Sequence, residues 1–176
     1  MNRKGFTLIE LLATIVIIGL IGGIATYGVV NTINTSKLKS EKIFIDKLSN
    51  LIDDYLDLYS NELTTTTNTH TFRKCRVSNC TEYNNDNSYL VTATKLTSIN
   101  ISNLIDKGII TYQELKNPKN KLECFDTSNN PEIKIYKDTD YVYHYYVDLS
   151  NNKCDITEEN KIINNLPDTL KSTLGL

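Results

Sequence analysis

The chain has 176 residues, 40% of them apolar, with a formal net charge of −2 and no Trp. That length suits one modest domain with an attached segment. The slightly acidic balance excludes a strongly basic nucleic-acid binder, and no dense Lys/Arg run interleaved with aromatics supports direct nucleic-acid contact.

The chain opens with Arg3 and Lys4, then Gly5 and Phe6. From Leu11 to Val30 there is no charged residue. As a helix that stretch is about 30 Å long, the thickness of a bilayer hydrocarbon core. Arg3 and Lys4 place its leading end in the cytoplasm and the rest of the chain outside. An ordinary export signal has its small-residue cleavage site after the apolar core. Here the small residue Gly5 comes before it, so a cut at Gly5/Phe6 would remove the leader and keep the helix. Glu10 is the charge that stands against the apolar run. A carboxylate costs about 2.5–3.5 kcal/mol at the centre of a membrane helix, which makes Glu10 a functional candidate.

The run Lys4-Gly5-Phe6-Thr7-Leu8-Ile9-Glu10-Leu11-Leu12 resembles the N-terminal signature of type IV pilins and pseudopilins. The resemblance implies an α+β, pilin-like fold, with a long N-terminal helix packed on a small antiparallel sheet. It implies that prepilin peptidase cuts after Gly5 and methylates the new amine of Phe6. It further implies that Glu10 pairs with the Phe6 amine of a neighbouring subunit, relieving two buried charges and favouring a defined stagger. Membrane lipid before assembly, other pilins and a pilus assembly platform are the implied partners. The implied end state is a surface filament serving adhesion, motility, DNA uptake or secretion. Many family members carry a proline in the middle of this helix; here Gly19, Gly22 and Gly23 are its only intrinsic weak points, each about 1 kcal/mol worse than Ala. A membrane-anchored extracellular binding domain that does not polymerise is the alternative reading.

Beyond Ile33 the pattern becomes amphipathic. Phe44, Leu48, Leu51, Ile52, Tyr55 and Tyr59 form one stripe at steps of three and four. No proline interrupts Phe6 to Glu62. One helix of about 57 residues, roughly 85 Å, is therefore expected. The expected divisions are a leader at 1–5, a membrane or filament-core half-helix at 6–30, an amphipathic half-helix at 31–63 and an extracytoplasmic domain at 64–176.

Thr64 to Thr69 reads as a tract that ends the helix, followed by a polar connection. Leu90 to Leu96 mixes β-formers with polar residues. Ile101 to Gly108 reads as a short helix with Ser102 as candidate N-cap and Gly108 as its stop. Ile109 to Tyr112 reads as extended, Asn117-Pro118 as a turn and Leu122 to Phe125 as a candidate strand. Glu132 to Lys137 alternates strictly, and Tyr141 to Leu149 is dense in β-branched and aromatic residues. Asp138 to Asp140 between them suits a hairpin loop.

Cys75, Cys80, Cys124 and Cys154 are an even set, all after the apolar segment, which fits disulfides in an exported domain. Four cysteines allow three pairings. Cys75–Cys80 with Cys124–Cys154 is favoured, and the other two stay open. The second bridge would close a loop worth about 3–4 kcal/mol in the chain-entropy model.

Other signals carry less. Leu166-Pro167-Asp168-Thr169-Leu170 has Leu where a sortase motif has Gly, and no apolar tail follows; it reads as a polar tail. Asp126, Asp138, Asp140 and Asp148 match no calcium-loop spacing and read as solvated turn residues. His70 and His144 have no nucleophile motif around them, and His144 reads as a strand residue facing water. No enzymatic role, cofactor or metal site is expected.

Overall fold

The computed structural model describes residues 7–76, 83, 87–118, 121–126, 128–150, 156–157 and 161–176. The chain divides into two compact units, Met1–Ser40 and Glu41–Leu176.

Helix α1 runs from Leu8 to Tyr59 and crosses that division. In the first unit it is apolar and unburied: Leu8, Leu12, Ile18, Ile21 and Val29 are all more than half exposed. Among the described residues it is the one helix long and apolar enough to cross a membrane. Thr14, Thr26, Thr32 and Thr35 turn their hydroxyls back onto carbonyls three or four residues earlier. Those hydroxyls therefore need no partner outside the helix.

In the second unit the expected stripe is the buried face. Phe44, Leu48, Ile52 and Tyr55 lie in the main core, with Leu51 and Tyr59 packed at its margin. Ile45 and Leu56 also belong to it, widening the stripe beyond the sequence reading. The α-helix ends at Tyr59, and a 3-10 turn at Ser60–Glu62 carries the chain to extended Leu63. The β-branched run that follows is stiff at χ1 and favours the strand.

That strand is the first departure from expectation. The helix does end before the Thr-rich tract, but the tract and the expected polar connection after it together form β1, Thr65–Cys75. It pairs antiparallel with β2, Ser88–Leu96, through a register irregularity between Thr65 and Thr69. Strand β3, Ile99–Asn100, follows after a short break. Strands β4, Glu132–Asp138, and β5, Tyr143–Asp148, form the expected hairpin. Strand β6, Ile162–Asn164, closes the other edge. The order is β1-β2-β4-β5-β6, with β3 pairing the start of β4, and every pairing is antiparallel. This is the α+β, pilin-like architecture that the sequence leads one to expect.

Successive side chains on a strand point to opposite faces. Ile133, Ile135, Tyr145 and Val147 enter the core under α1. Tyr136 belongs to a second apolar cluster, with Phe72, Val91 and Ala93. That cluster is closed by α3, Asp168–Leu174, whose Leu170 is fully buried together with neighbouring Leu166. The expected polar tail is therefore a packed helix. Leu170, the residue that spoils the sortase reading, is the one that fills the core.

Helix α2, Ile101–Asp106, is capped by Asn100 rather than Ser102. The Asn100 backbone N–H donates to Asn103 Oδ1 at 2.7 Å. Ser102 instead holds the Asn130 side chain, its N–H donating to Oδ1 at 3.0 Å and its Oγ accepting from Nδ2 at 2.7 Å. Gly108 ends the helix with φ of +72°, its N–H donating to the Ile105 carbonyl. Leu122 to Phe125, the candidate strand, does not form one. Lys116 and Glu123 meet only in an isolated bridge, across a turn in which Lys121 takes a positive φ.

Candidate functional site

The residues of the expected processing and assembly site begin at Gly5 and Phe6, which lie outside the described residues. Glu10 is described, and its surroundings are local. The Thr7 backbone N–H and hydroxyl donate to Glu10 Oε2 at 2.9 and 2.8 Å. The Glu10 N–H closes on Thr7 Oγ1 at 3.4 Å. This is a capping box, with Thr7 at the N-cap and Glu10 three residues on. It satisfies donors that the first turn of a helix leaves open. The signal was present in the sequence as Thr7-x-x-Glu10, and the sequence reading missed it. Glu10 therefore has a structural use inside its own helix, apart from any partner. Both bonds to Thr7 fall on Oε2, and Oε1 accepts none among the described residues.

The same Thr-x-x-Glu device recurs at Thr111 and Glu114. The Thr111 N–H and hydroxyl donate to Glu114 Oε2 at 3.0 and 2.9 Å, while Lys47 Nζ lies 2.9 Å from Oε1. Lys47 and then Thr111 hold that carboxyl down to about 2.

No cysteine among the described residues is a free thiol, and Cys124 is fully buried. Cys80 and Cys154 lie outside the described residues, so the pairing remains a proposal.

Asp126, Asp138 and Asp148 accept turn N–H groups, but Asp138, expected as a solvated turn residue, is a buried residue at the end of β4. Asp126 Oδ1 accepts from the N–H groups of Ser128 and Asn129, and Asp148 Oδ1 from that of Ser150. Asp138 Oδ1 accepts from those of Asp140 and Val142. Asp138 and Asp140 do more. Asp138 Oδ2 accepts from His144 Nε2 at 2.9 Å and lies 3.2 Å from Lys74 Nζ. Lys74 also reaches Asp140 at 2.9 Å, and the Tyr89 hydroxyl donates to that carboxylate at 2.7 Å. Burial alone would raise the Asp138 carboxyl; the bonds from His144, Val142 and Lys74 overcome it and hold the group below its ordinary value. His144 does not face water. It is buried, edge-on to Phe72 with ring centroids 5.9 Å apart. The cluster ties β1, β2, β4 and β5 together and contains no nucleophile placed against a base.

Residues 1–26 match the family model described as the prokaryotic N-terminal methylation motif. This is the type IV pilin signature, the motif of prepilin substrates that are processed by prepilin peptidase and assemble with other pilins. No curated protein and no solved structure matches the chain. The motif and the apolar first half of α1 together fit membrane anchoring and a place in a surface pilus.

Proposed function

We propose that this chain is a structural subunit of a type IV pilus or pseudopilus. Prepilin peptidase cuts it between Gly5 and Phe6 and methylates the Phe6 amine, and it assembles through its N-terminal helix. The observation that carries the reading is the methylation motif over residues 1–26, running directly into an unburied apolar helix. Soluble domains rarely expose an apolar surface of that extent without a membrane or a partner to cover it. Both are supplied here, lipid before assembly and neighbouring helices afterwards.

Arg3 and Lys4 favour a cytoplasmic N-terminus, and cysteines that are not free thiols favour an oxidising compartment for the second unit. In the filament, Glu10 Oε1 takes the Phe6 amine of the next subunit while Oε2 stays on Thr7. A carboxylate can hold both, since its two oxygens offer about four lone-pair sites.

N-terminal sequencing and intact mass of the protein from its native membrane test the processing step. A chain beginning at Phe6, with or without one methyl, is expected. A chain retaining Met1 to Gly5 in cells with active prepilin peptidase would leave the anchored, non-polymerising domain as the better reading.

A further inference from the structure

The sheet face that carries α3 also carries a polar groove that the assembly reading does not use. Tyr146 on β5 is half-buried and forms the wall shared by two adjoining cavities. One, of 440 Å³, extends from it past Lys134 and Glu132 on β4 to the segment around Asn129. The other, of 210 Å³, extends past Asn164 on β6 to Lys171 on α3. The larger falls within the range of about 300–1,000 Å³ usual for small-ligand sites.

The composition of the groove narrows what it can hold. Glu132 and Asp148 bring two negative charges and Lys134 a positive one, while Lys171 is paired with Asp168 at 3.2 Å. A charged ligand of either sign would meet its own charge in the groove. The side chains of Glu132, Lys134 and Asn164, and the hydroxyl of Tyr146, make no hydrogen bond or ion pair among the described residues. Lys134 instead holds its ammonium 5.7 Å from the Tyr146 ring centroid. Donors and acceptors are thus unspent, of both kinds, around one aromatic ring.

We infer that this groove binds a neutral saccharide, which displaces the Lys134 ammonium from the Tyr146 ring and stacks there, with Glu132, Lys134 and Asn164 bonding its hydroxyls. A pyranose has one flat C–H face and a rim of hydroxyls that both donate and accept. An aromatic ring with a polar handle suits the face. A carboxylate, an ammonium and an amide suit the rim, the charged ones making the stronger bonds. The inference is independent of polymerisation, because every residue it uses lies in the second unit.

The test uses the full chain in a detergent without a sugar headgroup, probed on an array of neutral, sialylated and sulfated oligosaccharides and of charged peptides. Hits are titrated by calorimetry at low and high salt. Neutral oligosaccharides are expected to bind with Kd of about 1 mM or tighter, with little salt dependence. Tyr146→Ala should weaken binding about tenfold or more, and exposed Glu132→Gln about threefold. A thermal melt checks that Tyr146→Ala folds; if it does not, Glu132→Gln and Asn164→Ala decide. Absence of neutral binders would overturn the inference. So would hits confined to charged glycans or peptides, or neutral binding unchanged in the folded variants.

Discussion

Asp138 and His144 face each other across the β4–β5 hairpin, Oδ2 to Nε2 at 2.9 Å, with both side chains buried. The relationship depends on register: His144 lies opposite Tyr136, so it reaches Asp138 two residues along the same face. Neutralising Asp138 weakens the bonds it accepts from His144 and Lys74, while Lys74 keeps its pair with Asp140; loss of a hydrogen bond to a charged group costs about 1.5–3 kcal/mol. Asp138→Asn should therefore lower the unfolding free energy by about that much, read from chemical denaturation. A midpoint equal to that of the parent would mean that the network does not stabilise the fold.

Acid should act on the same hairpin and on Glu114. Both carboxyls lie below their ordinary values when folded, Asp138 below 3.8 and Glu114 at about 2 against 4.5. A carboxyl depressed in the folded state contributes stability that is complete above its unfolded value and is lost as pH falls through its folded one. Stability should thus be flat near neutrality and drop from about pH 4.5 to about 2. In Glu114→Gln that drop should be shallower. An identical acid profile in the variant would show that Lys47 and Thr111 do not favour the charged form.

Leu170 tests whether α3 is part of the fold. Its side chain is fully buried against the second cluster, and Thr169 Oγ1 donates to the Arg73 carbonyl of edge strand β1 at 2.6 Å. Leu170→Ala should cost about 2–5 kcal/mol. A cost near zero would return the segment to the polar tail expected from sequence.

Tyr141 occupies the hairpin loop with φ of +65° and is 78% exposed. Glycine would relieve a left-handed conformation worth roughly 1–2 kcal/mol. It would also forfeit a ring 5.1 Å from Lys137 Nζ, worth about 0.5–1 kcal/mol at an exposed site. Tyr141→Gly should raise the melting temperature slightly; a lower one would mean that the Lys137 contact outweighs the strain.

At the helix start, Glu10→Ala should abolish sheared filaments while leaving processing and membrane insertion intact. Thr7→Ala removes both bonds of the Thr7 hydroxyl, leaving the backbone N–H bond to Glu10, and costs about 1 kcal/mol of first-turn stability. It should reduce filament yield less than Glu10→Ala does. Equal losses would place the function of Glu10 in its own helix rather than between subunits.

Peptide mapping under non-reducing conditions tests the proposed bridges. Fragments joining Cys75 to Cys80 and Cys124 to Cys154 are expected, and Cys154→Ser should destabilise the domain by about 2–5 kcal/mol. Any other linkage would reassign the pairs.

Much of this protein can be read from local pattern. Lys4-Gly5-Phe6 and Glu10 carry the methylation motif because a processing enzyme reads contiguous residues. The α1 stripe and the β4–β5 hairpin follow from periods of 3.6 and 2, which depend on near neighbours alone. The Thr7-x-x-Glu10 capping box was equally legible, for the same reason. Other features required the folded chain. A Thr-rich tract becomes β1 only because β2 pairs with it. Leu166 to Leu170 reads as a polar tail until Leu170 is set against Phe72 and Val91, far away in sequence. His144, with polar and aromatic neighbours, gains a buried carboxylate only through the cross-strand register. The groove at Tyr146 gathers β4, β5, β6 and α3. Local periodicity specifies which segments are apolar on one side, but it carries no information about which distant segment will cover that side.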